Sequence, residues 1–176
     1  MTNDEGRDPT SGLSAEQQHA VEEFTRLRGV APFGPFVDLL PSPELMTRVS
    51  ALGEYLRYRS ALSPRLSEFA ILVTAAHWAQ AFEWEVHAPI ALQAGIPQPV
   101  IDSLWARVPP ADLDPELQVI YDICIALHQQ HRMPAALRHR AEAILGEAAT
   151  LDAIGDRKST RLNSSHSQQS RMPSSA

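Results

Sequence analysis

Hydrophobic positions along the chain recur at helical spacing, and no segment alternates with the period of two that a strand would show. Ser14 opens the first such stretch with the S-x-x-Q pattern of a capping box. Later stretches begin with a capping residue followed by a proline at the first helical position. These pairs are Ser42-Pro43, Ser63-Pro64 and Asp114-Pro115. The pattern predicts an all-α fold with seven or eight helices.

The segment 65–79, RLSEFAILVTAAHWA, is apolar on nearly all sides, which is typical of the central, buried helix of a bundle. A break near Gln80 separates it from a second apolar helix that ends at Gly95. Pro89 would lie inside that second helix, where it would either kink the helix or split it. The segment 29–41 is punctuated by proline and glycine and is predicted as a connector with buried side chains.

The composition predicts one domain over residues 13–155, a single-domain helical bundle, with a disordered N-terminal tail over 1–12. Of the 176 residues, 44% are hydrophobic, which is enough for a core. The net charge of −6 without a basic cluster argues against nucleic acid or an anionic membrane as a partner. No apolar run is long enough to span a membrane, and the polar N-terminus is unlike a signal peptide, so we expect a cytoplasmic protein.

The composition changes abruptly at Asp156. The segment 156–176 contains the only lysine of the chain, Lys158, and seven of its fifteen serines. Back-translation of 156–166 and of 170–176 matches two parts of a common short-read sequencing adapter, in one frame and in the right order. We therefore expect 156–176 to be a non-native tail, irregular and exposed, that follows a C-terminal helix truncated after Gly155.

Three side chains are candidates for chemistry. Glu68 lies in the middle of the apolar helix, where a carboxylate is costly unless it is paired or functional. Glu83 and His87 are four residues apart and share one helix face. A carboxylate bonded to one imidazole nitrogen fixes the tautomer and raises the basicity of the other nitrogen, which suits proton transfer. Two structural alternatives stay open: such a pair is common on helices, and Glu68 could bridge to Arg65 one turn earlier.

The segment SPRLSEFAILVTAAHWAQAFEWEVHAPIALQAGI resembles the carboxymuconolactone decarboxylase family, within the alkylhydroperoxidase D-like superfamily. The upstream GPFVDLLPSPELMTRVSALGEYLR and the downstream LQVIYDICIALHQQHRMP extend the resemblance. Together the three pieces cover most of residues 34–155. The resemblance implies a helical bundle of the superfamily type and a homo-oligomer, either a trimer or a hexamer.

The peroxidase branch of this superfamily uses a glutamate, a C-x-x-C pair and a histidine four residues after the second cysteine. If His87 is that histidine, Glu68 falls on the family glutamate, and Gln80 and Glu83 fall on the two cysteines. Both thiols are therefore absent, and a thiolate is what attacks a peroxide. The single cysteine, Cys124, lies on an apolar helical stripe typical of a core position.

The E-W-x-x-H pattern resembles the decarboxylase side of the family, whose members act without metal or organic cofactor. The resemblance implies cofactor-independent decarboxylation or proton transfer on a small lactone or carboxylate. In that hypothesis His87 gives or takes the proton, Glu83 orients it, and Glu68 is a second buried carboxylate.

Arg65 is the candidate for binding a substrate carboxylate. Trp84 and Phe82 could wall a small apolar pocket, although aromatic side chains at helical spacing are more often core. Three further histidines lack the spacing of metal ligands, so no metal site is expected. These histidines are His77, His128 and His131.

Two other functions stay open: an oxidoreductase scaffold of the peroxidase type that lacks its thiols, and a catalytically silent protein that binds a small molecule or assembles. Convergence of Glu68, Glu83 and His87 on one place would favour the enzyme.

Overall fold

The computed structural model describes residues 12–157, and all regular structure in this range is helical. The predicted all-α fold is confirmed. The predicted N-terminal tail, except for Gly12, lies outside the described residues, as does 158–176. The nine helices of the described range are α1 (Ala15–Arg28), α2 (Pro35–Asp38), α3 (Pro43–Tyr58), α4 (Pro64–His77), α5 (Ala81–Gln93), α6 (Gln98–Trp105), α7 (Pro115–Gln129), α8 (Ala135–Leu145) and α9 (147–157).

The helix start signals at Ser14, Ser63 and Asp114 act as the sequence predicts. The Ser14 hydroxyl accepts from the Gln17 backbone N–H, and the Gln17 side chain accepts from the Ser14 N–H, which completes the capping box. The side chains of Ser63 and Asp114 cap α4 and α7 by accepting from the backbone N–H three residues later. Pro89 does not split α5, which continues through it to Gln93.

The structure divides into two compact units, with the boundary between Glu54 and Tyr55, where the sequence analysis expected one domain. The first unit contains α1, α2 and most of α3. Its core is a cluster of buried side chains centred on Phe24, whose ring lies 4.8 Å from that of Phe36. Helix α2 lies inside the predicted connector and was not predicted, because a helix of one turn has too few positions to show a helical period.

The second unit is built around α4. Every residue from Leu66 to Ala76 is buried, which confirms that this helix is the central one. It packs against α5, α6 and α7, and α7 packs in turn against α8. None of the helices in the described range is long and apolar enough to cross a membrane.

At residues 156 and 157, helix α9 corrects the expectation of an exposed, irregular tail; the rest of that tail lies outside the described residues. Asp156 and Arg157 are helical and buried, and they extend the buried face that Ala149, Thr150 and Ala153 begin. Positions 149, 150, 153, 156 and 157 have the spacing of a single helix face, so the packing continues past Gly155. The adapter origin of 156–176 stays a prediction about the coding sequence.

Candidate functional site

The three side chains that the sequence analysis selected meet at one place. The imidazole of His87, on α5, has Nδ1 2.7 Å from Oε2 of Glu68, on α4. Its other nitrogen, Nε2, lies 3.6 Å from Oε2 of Glu83, one turn earlier on α5. Glu68, Glu83 and His87 are 6%, 7% and 8% exposed, respectively. Two carboxyl groups therefore flank one buried imidazole.

Helix α5 buries polar side chains and exposes apolar ones, and the buried polar side chains form the site. Its buried positions are Glu83, His87 and Ala91, at spacings of four, whereas Val86 and Leu92 on other faces are 42% and 47% exposed. The chain turns from α4 into α5 through Ala79, which has a positive φ of 53°. This tight turn holds α5 against α4 and so brings Glu83 and His87 to Glu68.

The sequence analysis gave the orienting role to Glu83, but the shorter contact of His87 is with Glu68, at 2.7 Å against 3.6 Å. The roles of both carboxyl groups stay predictions. A carboxylate can only accept a hydrogen bond, so Nδ1 of His87 carries the proton and donates the hydrogen bond to Glu68. Nε2 is then the nitrogen that can take up or give a proton. The alternative partner for Glu68, Arg65, forms its ion pair with Asp114 instead, and Glu68 bonds to His87.

Glu83 is set apart from an ordinary surface carboxyl by its surroundings. Burial raises the pKa of Glu83, the nearby His87 opposes that rise, and the negative charge of Glu68 adds to it. Glu83 therefore keeps its proton to a higher pH than an exposed glutamate. A carboxyl that can donate and an imidazole nitrogen that can accept thus face each other across 3.6 Å.

Asp156 is a third carboxyl beside this group, and the sequence analysis missed it. The Ser67 hydroxyl donates to Oδ2 of Asp156 at 2.6 Å. Burial raises the pKa of Asp156 to about 6; Ser67 opposes the rise, Glu68 adds to it and His87 opposes it. Asp156 was set aside with the non-native tail. The helical spacing from Ala149 through Ala153 was the signal that could have placed it on the buried face.

The remaining site candidates lie in other contacts. The guanidinium of Arg65 forms an ion pair with Asp114, the residue that caps α7. Trp84 is half-buried on α5 and lies against Trp105 of α6, with ring centroids 4.8 Å apart. Phe82 is also half-buried. The structure therefore groups Glu68, Glu83 and His87, while the roles of these other residues stay predictions.

Cys124 occupies the core position that its sequence pattern predicts. It is 1% exposed on α7. Burial raises the pKa of its thiol to about 12, so the nucleophilic thiolate is scarce near neutral pH. Among residues 12–157, no group of three or more histidine, cysteine, aspartate or glutamate side chains has an arrangement that could hold a metal ion.

The comparison with known families bears on this site directly. Residues 43–119 match the carboxymuconolactone decarboxylase family. The match confirms the resemblance, over a narrower range than the 34–155 that the sequence analysis proposed. It runs from the start of α3 into α7 and so includes Glu68, Glu83 and His87. A search of curated proteins finds no match.

Proposed function

We propose that the second unit of this carboxymuconolactone decarboxylase-like chain holds an enzyme site for cofactor-independent decarboxylation or proton transfer on a small lactone or carboxylate. One observation carries the proposal: a buried imidazole is fixed at Nδ1 by Glu68 at 2.7 Å and faced at Nε2 by Glu83 at 3.6 Å. The family match supports the class of reaction.

In the proposed reaction His87 supplies the proton that replaces carbon dioxide. The bond between the substrate carbon and its carboxylate breaks, carbon dioxide leaves, and the electron pair remains on that carbon. Before the transfer, the Glu68 carboxylate at Nδ1 stabilises the charged imidazolium of His87. The imidazolium then gives its Nε2 proton to the carbon and becomes a neutral imidazole. Water then returns a proton to the site, so one proton is consumed and one carbon dioxide is released.

Glu83 is suited to relay that returning proton. Its pKa is raised, chiefly by burial, so it is protonated more often than an exposed glutamate at the same pH. Its Oε2 lies 3.6 Å from Nε2 of His87, which a small rotation of either side chain shortens to a hydrogen bond. In this proposal Glu83 reprotonates His87 between turnovers, and Glu68 keeps the imidazole in one orientation.

A substrate carboxylate also needs a cationic partner, because the site itself has carboxyl groups on both sides of His87. Arg65 lies three residues before Glu68 on α4, and its side chain is 29% exposed in its ion pair with Asp114. We propose that the substrate carboxylate exchanges with Asp114 for this guanidinium. Arg65→Gln should then raise KM more than it lowers kcat.

The test measures carbon dioxide release from carboxymuconolactone, and the deuterium content of the product when the reaction runs in D₂O. We expect one deuterium at the carbon that lost carbon dioxide, and a turnover about 10²–10⁴-fold lower in His87→Gln. His139→Gln, which changes an exposed histidine on α8, is the control and should match the unmodified chain. Equal turnover in His87→Gln and the unmodified chain would refute the assignment.

A second candidate function is assembly, and the exposed apolar side chains of α5 and α6 favour it. Val86 and Leu92 are exposed on α5, and Trp105 of α6 is 50% exposed. Apolar side chains on a helix that buries its polar ones are typical of a contact with another protein. A second copy of this chain is the partner that the family resemblance implies, as a trimer or hexamer. Light scattering on the unmodified chain and on Val86→Glu with Leu92→Glu tests this, since a homo-oligomer should dissociate in the variant.

A further inference from the structure

Two histidines outside the proposed site are stacked on each other. The imidazoles of His77, the last residue of α4, and His128, in the last turn of α7, have centroids 4.2 Å apart and planes 9° apart. The ring of Trp78 stands edge-on to both, with centroids 5.1 Å from that of His77 and 6.2 Å from that of His128. His128 is 4% exposed. The stack therefore joins the ends of two helices at a partly buried position.

The contacts of this stack fix the state of one ring. The guanidinium of Arg157, on α9, lies 2.9 Å from Nδ1 of His128 and also donates to the Leu127 carbonyl at 3.1 Å. A guanidinium can only donate, so Nδ1 of His128 accepts and carries no proton. A doubly protonated imidazole has no acceptor, and it would place a cation directly against Arg157 and against the second ring.

The charges that act on His77 are of the same sign as its own protonated form. Burial lowers the pKa of His77, and the guanidinium groups of Arg107, between α6 and α7, and of Arg157 lower it further. Cys124, one turn before His128 on α7, remains a neutral thiol. The carbonyl end of α4 favours a cation at His77, but the pKa of His77 is lowered all the same.

We propose that the His77–His128 stack is a pH-sensitive contact, which holds the end of α4 against the end of α7 while both rings are neutral and opens when either ring is protonated. A protonated ring at 4.2 Å from its neighbour repels Arg157 and disfavours protonation of that neighbour. Because the folded state disfavours the charged form of His77, the stability that depends on neutral His77 is complete above pH 6.5 and is lost as the pH falls below that value.

The first test uses Trp78 as a reporter of the stack. In a background with Trp84→Phe and Trp105→Phe, Trp78 is the only tryptophan of the chain, and its fluorescence is followed from pH 8 to pH 4. We expect one transition with a midpoint below pH 6.5, which is lost or moves upward in His77→Asn and in His128→Asn. His139→Gln in the same background is the control, and its transition should be unchanged. A transition that is the same in all four proteins would overturn the proposal.

The second test uses the unmodified chain and does not depend on how well any variant folds. NMR titration of the imidazole C–H signals should show His77 and His128 protonating below pH 6.5, in two steps about one pH unit or more apart. Independent titration of both rings at the ordinary value of 6.5 would overturn the proposal. Neither test uses catalytic activity, so both outcomes are separate from the success of the proposed function.

Discussion

Replacing Asp156 with asparagine should stabilise the protein, and by an amount that depends on pH. Asp156 is 6% exposed and accepts from the Ser67 hydroxyl at 2.6 Å. Its pKa is raised by burial to about 6, from an ordinary 3.8, so ionising it in the folded protein costs at most about 3 kcal/mol. Asparagine has nearly the same shape and keeps an acceptor oxygen for Ser67, but it has no charge to bury.

The direction of the pH dependence follows from the raised pKa. The folded state favours the protonated carboxyl, so below pH 3.8 Asp156 costs nothing and the variant has no advantage. As the pH rises from 3.8 to about 6, the unfolded chain ionises first and the unmodified protein loses stability. Above pH 6 the loss is complete. Asp156→Asn should therefore gain about 1–3 kcal/mol at pH 8 and close to none at pH 3.5.

Urea unfolding followed by circular dichroism at pH 3.5, 6 and 8 measures this difference. Asp102→Asn, which changes an exposed carboxylate on α6, is the matched control and should show no such dependence on pH. A gain of this size is large beside the 5–15 kcal/mol stability of an ordinary domain. A variant that is less stable than the unmodified chain at pH 8 would refute the reasoning, since it would show that the ionised carboxylate is a net stabilising group.

Three further predictions concern the groups around the site and the single thiol. Glu68→Gln should lower kcat by about 10²–10⁴-fold, and by more than Glu83→Gln does. The reason is that an amide nitrogen facing Nδ1 of His87 favours the tautomer with its proton on Nε2. Steady-state kinetics on the two variants decides the order. Ser67→Ala should destabilise the chain by about 1–3 kcal/mol at pH 8, measured by urea unfolding, since Asp156 loses its donor. Cys124→Ser should leave turnover unchanged, and the unmodified chain should not consume hydroperoxide with a dithiol in a peroxide assay.

The parts of the fold that were predictable are those that local sequence determines. Ser14 and Ser63 cap their helices because capping depends on neighbours three residues away. The burial of α4 follows from a run without a polar face. Glu83 and His87 share a face because they are four residues apart. Each of these features depends on spacing along the chain, and the structure has each of them.

Contacts between residues far apart in the sequence could not be predicted from it. His87 bonds to Glu68, nineteen residues away, and nothing in the local pattern decides that Nδ1 faces Glu68 rather than Glu83. The stack of His77 on His128 is equally non-local. The buried position of Asp156 differs from its prediction for another reason: its codon matches the adapter, which favours an irregular tail, whereas the helical spacing of α9 continues past Gly155.

Asp156 is buried beside the proposed site, so it could affect stability alone or take part in the reaction as well. A buried carboxyl whose ionisation costs up to about 3 kcal/mol is what an unselected residue on a helix face would produce, and this agrees with an adapter origin for the segment. If Asp156 is foreign to the proposed reaction, Asp156→Asn should keep kcat within about twofold of the unmodified chain while it raises stability at pH 8. Turnover and urea unfolding measured on the same preparation test both statements. A fall in kcat comparable to that of His87→Gln would instead place Asp156 among the groups that move the proton, and the adapter interpretation would then have to account for a functional carboxylate at its first residue.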